Sequence, residues 1–558
     1  MASMYGRVRQ LSNVLRYLAR GDLSGLVRRL KWYRGEQTQA ILHRRAVSGD
    51  GRVWGILCTP HTLFIASALS ERLAKHGIAS EVLTGAVEDF SHDFYIVLCP
   101  QMFKRLPPPD KRVLFQLEQS VNSRWFTEDY LKLLKDSVGV LDYSLENIDF
   151  LARKGVKYPK IHYLPIGAVE GAVGTKVVAK YDFVFYGDNL SSERRRHFLA
   201  RLQKQYKVKV CNDVFGEDMH TIIRQSKAVI NIHYYEGALL ETPRLSECIS
   251  LGIPVLSEGS HDQAEYPEFE GAVCFFKEGS VDGMMHAAAE MLGRVETVQE
   301  GMGKAIAASA QRFNFMIDRF LVTLGAIPVG TLLEHPVHVA QSSDFFALSL
   351  PETIERRKAI AAAIPRGCVL FDGVRHSFGW IGCGASFNAL SRYARADGRK
   401  RLTVIEDDAI LPVDFEKALG DVHQYLDNRK TTWDIFSGLM ADINPAAKVL
   451  SVETVGGRTY VTLDKMTSMV FNIYNERALQ LLSEWNPSDN DAATNTIDRY
   501  LEKQNDLRIV VCLPFLVGYN EKAASTLWGF DNSRYTPMIR KTEQKIEEMV
   551  RDWRNRNG

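Results

Sequence analysis

Three consecutive carboxylates, Glu406, Asp407 and Asp408, follow directly on the apolar and β-branched run Leu402 to Ile405. Apolar residues resume at Ala409. Such a run reads as a buried parallel strand that delivers acidic groups at its C-terminal end. Open α/β sheets take their ligands at that edge. Carboxylates this close repel one another unless a cation lies among them, and hard oxygen ligands suit Mg2+ or Mn2+. On an extended strand Glu406 and Asp408 project to one side and Asp407 to the other. Glu406 and Asp408 are therefore the expected metal ligands, Asp408 first. The bland alternative is an acidic strand-to-loop junction with no ligand.

A second stretch, HYYEGALLETPRLSECISLGIPV at 233–255, carries His233, Glu241, Arg244 and Glu247. Pro243 suits the first turn of a helix beginning near Thr242. The N–H groups and positive dipole end of that helix would suit a diphosphate, and the Arg244 fork fits phosphate oxygens. Two further acid/base candidates, His61 and Glu118, each stand at the end of an apolar strand-like run. Each is equally well an ordinary loop or strand-end residue.

The elements that must position these groups alternate along the chain. VWGILC (53–58), FYIVLCP (94–100), VLFQLEQ (113–119), VGVLDYS (138–144) and IHYLPIG (161–167) read as strands with helices between them, a doubly wound α/β pattern. A second series runs through YDFVFYGDN (181–189), KVKVC (207–211), KAVINIHYY (227–235), IPVLSE (253–258) and AVCFF (272–276), followed by helix over 280–325. A third contains FFALSLP (345–351), CVLFDGV (368–374), WDIFSG (433–438), the strand-like 459–474, helices at 475–484 and 492–504, and RIVVCLP (508–514). Residues 541–555 read as a charged, solvated helix.

The 558 residues are too many for one core. A net charge of +2 gives no bulk case for nucleic-acid binding. The eight cysteines are scattered without a CxxC, which points to reduced thiols of a cytosolic protein. No run is long enough to span a bilayer. Residues 1–36 hold eight basic side chains among regularly spaced Leu and Val. They read either as amphipathic helices lying on an anionic membrane surface or as helices packed on their own domain.

The ending Glu247, Gly252, Pro254 and Val255 resembles, in register, the "E-A-x-x-x-G-x-P-V" ending in the C-terminal lobe of GT-B glycosyltransferases. Gly187 with Arg194-Arg195-Arg196 resembles that family's glycine turn after the lobe's first strand. The resemblance implies a nucleotide-sugar site in which Glu247 meets the ribose, with Gly187, Arg195, His233, Glu241 and Arg244 around it. In that family the loop carrying His61 faces the cleft and acceptor. The pattern departs from the retaining enzymes, which place a glutamate eight residues before Glu247. Leu239 stands there, and Glu241 is the nearest acid.

LSLPETIERRKAI (348–360), GWIGCGASFNALSRYA (379–394) and VIEDDAIL (404–411) resemble, in order and spacing, the motifs of glycosyltransferase family 25, the lipooligosaccharide and procollagen galactosyltransferases with a GT-A fold. This likeness covers roughly 341–535. It implies a Mn2+ or Mg2+ site at Glu406 and Asp408, with Arg356 and Arg357 meeting phosphate or else opening a solvated helix. Gly379, Gly382 and Gly384 would admit a nucleotide. The general base would be a later carboxylate, Asp498, with Asp489 and Asp491 as competitors. Phe387 replaces the family's histidine after serine, and no histidine follows His423. Asn520 or water would fill the missing ligand position.

The expected fold is therefore α/β: two Rossmann-like GT-B lobes, then a GT-A-type domain. Expected bounds are basic helices at 1–49, lobes at 50–167 and 168–335, a linker at 336–344, the third domain at 345–535 and a charged helix at 536–558. The resemblances imply a bifunctional glycosyltransferase taking nucleotide sugars, UDP-sugars above all. It would extend a lipid-linked oligosaccharide or polysaccharide of a bacterial surface, O-antigen or capsule, from the cytoplasmic face of the inner membrane. The rival expectation is that only one module is catalytic and the other binds or scaffolds glycan.

Overall fold

The computed structural model describes Leu23 and residues 53–557, apart from Ala86, Glu88, Thr175, Lys176, Lys430 and 527–530. The expectation of membrane-surface helices at 1–49 lies, Leu23 apart, outside the described residues. Two compact units are present, one ending at Leu321 and one running from Val322 onward. No helix among the described residues is long and apolar enough to cross a membrane.

The first unit holds two parallel sheets. β1 (Val53–Cys58), β2 (Ala79–Thr84), β3 (Phe94–Leu98), β4 (Arg112–Gln116), β5 (Gly139–Asp142) and β6 (Ile161–Tyr163) line up as β2-β1-β3-β4-β5-β6. Every adjacent pair is parallel. β3, β4 and β5 are buried along their whole length, as the unbroken apolar runs require. β7 (Tyr181–Tyr186), β8 (Val208–Cys211), β9 (Ser226–Asn231), β10 (Val255–Glu258) and β11 (Val273–Phe276) form the second sheet, ordered β11-β10-β9-β7-β8 and again parallel. Separate apolar clusters cover its two faces, one around Leu245 and Ile249, the other around Phe183, Phe198 and Met284. The double-lobed Rossmann-like arrangement is thus present. The loops after β4 and β9 meet: Leu239 N donates to Gln119 Oε1 at 3.0 Å, and Asn122 Nδ2 to the Glu236 carbonyl at 3.4 Å.

In the second unit one mixed sheet runs β13-β12-β14-β19-β16-β20-β18-β17. Its strands are β12 (Phe345–Ser349), β13 (Val369–Asp372), β14 (Arg401–Glu406), β16 (Ile435–Ser437), β17 (Val449–Val455), β18 (Arg458–Leu463), β19 (Phe471–Asn475) and β20 (Ile509–Leu513). A short pair, β15 (Ala409–Ile410) with β21 (Gly518–Tyr519), follows the acidic run. β14 is parallel to β12 but antiparallel to β19. The expected parallel strand is therefore parallel on one side only.

Other expectations need correction. The strand-like 459–474 is two strands, β18 and β19, which are not neighbours in the sheet. The helix at 492–504 is two short helices, Ala492–Asn495 and Ile497–Glu502, broken at Thr496. The final helix, Thr536–Asn557, is charged but not free in solvent. Thr542, Ile546 and Val550, spaced four apart, are buried, and Arg554 Nη2 reaches Thr454 Oγ1 at 2.9 Å. β2 and β17 gave no signal because each is an edge strand with interrupted burial.

Candidate functional site

In the second lobe, β7 ends at Tyr186 and the chain turns at Gly187 with φ +123°. A side chain there would meet Arg244 Nη2 at 3.0 Å and Arg195 Nη1 at 3.6 Å. Glycine thus lets two guanidinium groups close over the turn. Arg195 stands in the first turn of the helix Glu193–Gln203, whose N-cap Ser192 accepts from its backbone N–H. Its side chain donates to the Ile232 carbonyl at 2.9 Å, to the Asp188 carbonyl at 3.1 Å and to Glu241 Oε1 at 2.9 Å. Arg244 meets the other Glu241 oxygen at 2.5 Å and also donates to Asn231 Oδ1. Burial alone would raise the Glu241 pKa, but Arg244 and Arg195 outweigh it and hold the carboxyl below the usual range. Of the three arginines at 194–196, only Arg195 reaches this turn. Arg194 is doubly bonded to Glu258, and Arg196 bonds the Asn189 and Leu190 carbonyls.

The helix Thr242–Ser250 does begin with Pro243 in its first turn. Its N–H groups are nevertheless spent. Thr242 N donates to the Leu240 carbonyl, and Arg244 N and Leu245 N both donate to that of Glu241. The expected backbone cradle for a diphosphate is therefore absent, leaving the dipole and the two guanidinium groups. Glu247 lies one turn along. Its Oε2 accepts from the Tyr186 hydroxyl and its Oε1 lies 2.9 Å from His220 Nε2. His233 lies deeper than the arginines. Its ring is fully buried beside the Arg194–Glu258 pair, held neutral chiefly by burial, and neither ring nitrogen has a hydrogen-bond partner. Its nearest charged neighbours are Glu258, with Nδ1 4.0 Å from Oε2, and Glu241 of the Gly187 cluster.

His61 and Glu118 share the C-terminal edge of the first sheet, with β3 between their strands. His61 is exposed, its Nδ1 3.1 Å from Thr59 Oγ1. Glu118 accepts from Gln101 Nε2 at 2.8 Å, and burial pushes its pKa up. Asp142, which the sequence reading missed, ends β5 on the same edge. It is fully buried and pushed up to about 7 by burial, although Gln116 Nε2, Ser144 N and Asn147 Nδ2 all donate to it.

In the second unit β14 ends at Glu406, so Asp407 and Asp408 lie in a turn and strand alternation does not set their directions. Asp407 accepts from Ser349 Oγ at 2.7 Å and from Arg356 Nη2. Arg356 also lies 3.3 Å from Asp408 Oδ2, which accepts from Asn532 Nδ2 at 3.0 Å. Glu406 is pushed up to about 8 by burial, then by Asp408 and Asp407. Arg357, expected at phosphate, instead pairs with Asp372 at 2.7 Å; the arginine of the cluster is Arg356. Gly382 serves packing. A side chain there would strike the Val374 carbonyl at 2.6 Å, so the residue seats the helix Gly379–Ala396 on that loop rather than opening space for a nucleotide.

Asp498 stands in the first turn of the helix Ile497–Glu502, where its Oδ1 accepts from Arg499 N at 2.8 Å. Asp491 instead caps the helix Ala492–Asn495, and Asp489 accepts from its backbone N–H. Asn520 bonds the Asp408 carbonyl through its own N–H and turns its Oδ1 to Lys522 N. The amide that meets the cluster is Asn532.

Two buried oxygens bear on whether a divalent cation suits this set. Asp408 Oδ1 and Asn532 Oδ1 have no hydrogen-bond partner. Against them, no group of three His, Cys, Asp or Glu among the described residues is arranged to hold a metal ion. The set fits an ion only in the manner of Mg2+, with one or two carboxylates and the remaining ligands from water and a bound phosphate.

No family model matches the chain, and no curated protein does. Solved structures similar to it include sucrose-phosphate synthase from Thermosynechococcus elongatus, at 10% identity, TM-score 0.35, covering 48% of this chain and 98% of that one. WaaG, a glycosyltransferase involved in lipopolysaccharide biosynthesis, has the same four values. Anabaena Alr3699/HepE in complex with UDP is similar at 11% identity and TM-score 0.34, covering 50% of this chain and 100% of that one. Likeness at this level carries no argument about chemistry.

Proposed function

We propose that the first unit is a glycosyltransferase that binds a nucleotide sugar at the C-terminal edge of its second sheet. The observation that carries this is the Gly187 turn with Arg195 and Arg244 closed over it and only Glu241 between them. Two guanidinium groups against one carboxylate leave positive charge for a diphosphate. Glu247, whose oxygens each have one donor, retains lone pairs for ribose hydroxyls. His61 and Glu118 remain the candidates for acid/base work on the acceptor. On this reading the donor is a UDP-sugar and the product a bacterial surface glycan, as the sequence resemblance implies. A test is calorimetric titration of the full chain with UDP-glucose. Binding that is lost in Arg244→Ala supports the reading; undiminished binding in that variant removes it.

A second reading is favoured by the orphaned oxygens Asp408 Oδ1 and Asn532 Oδ1. On it the second unit is a family-25-like GT-A transferase in which Glu406 and Asp408 hold Mn2+ or Mg2+. A divalent ion there would offset charge on a diphosphate leaving group. Asp498 would take the proton of an acceptor hydroxyl, and Arg356 would hold Asp407 in place. The chain would then add sugars in two steps to one lipid-linked glycan, with 1–49 holding it at the inner membrane face. Glu247→Ala and Asp408→Ala, assayed separately for transfer, decide between two active modules and one.

A further inference from the structure

His220 stands outside the roles assigned so far, yet it is joined to Glu247. It sits on the helix Gly216–Arg224, with Nε2 2.9 Å from Glu247 Oε1. The opposite oxygen takes the Tyr186 hydroxyl from the end of β7 at 2.9 Å. The carboxylate is thereby pinned from two elements other than its own helix. A carboxylate has about four acceptor positions. One on each oxygen is used and one on each remains, which matches a vicinal diol. His220 and Glu247 are each partly exposed, about a fifth by side chain, so a ligand can reach the pair.

We infer that His220 is a positioning residue that orients Glu247 for the donor's ribose and couples donor affinity to pH. This rests on the nucleotide-sugar reading of the second lobe. The groups facing the imidazole are few. Glu217, on the same helix, lies 3.4 Å from Nδ1 and is itself paired with Arg224 at 2.7 Å. Glu247 faces it from the helix Thr242–Ser250, one turn after Arg244. Tyr186, from β7, is kept neutral by burial. The hydrogen bond to Glu247, with the charges of Glu247 and Glu217, holds the histidine proton above the ordinary range, against burial.

The sign follows from charge. With His220 protonated, the pair with Glu247 is neutral. Once the proton leaves, an uncompensated carboxylate stands beside an anionic diphosphate and repels it. Affinity therefore falls as pH rises through the raised His220 pKa. Two unit charges of a diphosphate at roughly 8 Å in a watery cleft give a change of about fivefold.

The experiment is calorimetric titration of the full chain with UDP-glucose, GDP-glucose and ADP-glucose, from about pH 6 to about pH 8. The diphosphates of these diesters keep their charge over that range, so a slope belongs to the protein. Expected is a dissociation constant for the accepted nucleotide that rises about fivefold across the titration. His220→Gln keeps a donor toward Glu247 but cannot titrate, and should be flat. Glu217→Gln, at an exposed position, should move the inflection to lower pH. The inference is overturned by a flat wild-type curve, by a slope that survives in His220→Gln, or by an inflection unmoved in Glu217→Gln. Binding of none of the three nucleotides at any pH overturns the donor reading instead.

Discussion

At the Gly187 turn two guanidinium groups close on one carboxylate; at the end of β14 one guanidinium serves two. The difference sets the sign of each site. Arg195 and Arg244 together pull Glu241 below its usual pKa. Arg356 alone does not offset burial at Asp408, which is pushed up. Asp142 in the first lobe shows the limit with no arginine at all. It has three neutral donors and still sits near 7. At Asp142 neutral hydrogen bonds only moderate burial, whereas at Glu241 charge reverses it. The two clusters thus differ in the balance of guanidinium to carboxylate that each one buries.

The largest expected effect tests the second half of that contrast. Arg356→Leu leaves Asp407 and Asp408 buried without their counter-ion. Removing one partner of such a buried pair costs about 3–5 kcal/mol. Urea unfolding reads this directly. An unchanged midpoint would mean that the carboxylates are not ionised in the folded protein, and the contrast would fail.

Next in size is the control without arginine. The folded protein holds a proton on Asp142 that the unfolded chain releases near pH 4. Stability relative to Asp142→Asn should therefore fall as pH rises from about 4 to about 7 and stay level above. The slope is at most about 1.4 kcal/mol per pH unit. A relative stability that rises over this window would show that a positive charge reaches Asp142 after all.

Arg244→Ala tests the first site. Losing a charge-assisted hydrogen bond to phosphate is worth about 1.5–3 kcal/mol, or roughly ten- to a hundredfold in UDP-glucose affinity. Asp408→Asn should leave that affinity untouched.

Most of the framework was legible because buried parallel strands are written as unbroken apolar runs. Phe94–Leu98 and Arg112–Gln116 need no partner information to be recognised. The edge strands Ala79–Thr84 and Val449–Val455 carry no such run. Candidate-site residues were legible where one segment holds them, as with Glu241, Arg244 and Glu247. They were not where two segments must meet. Asn532 reaches Asp408 from 124 positions away, and His220 reaches Glu247 from another helix. Arg356 and Arg357 show a third reason. Adjacent helical residues point about 100° apart, and the sequence does not say how the helix Ile354–Ala363 is rotated over the sheet edge. One arginine meets the acidic run and the other meets Asp372.

The smallest effect bears most directly on what the β14 cluster is for. If its uncompensated charge receives a cation, Mn2+ at ten times its dissociation constant should stabilise the folded chain by about 1.4 kcal/mol. That gain should disappear in Asp408→Asn, which removes the charge behind the orphaned carboxylate oxygen and leaves only the neutral amide oxygen of Asn532. Arg244→Ala should keep it, since that variant leaves Asp408 and Asn532 untouched and Arg195 still paired with Glu241. Absence of any Mn2+ shift in the wild-type chain would make Glu406, Asp407 and Asp408 a structural knot tied by Arg356. The orphaned oxygens would then be an unrewarded cost of burial, and the count of arginines per carboxylate would describe stability without describing function.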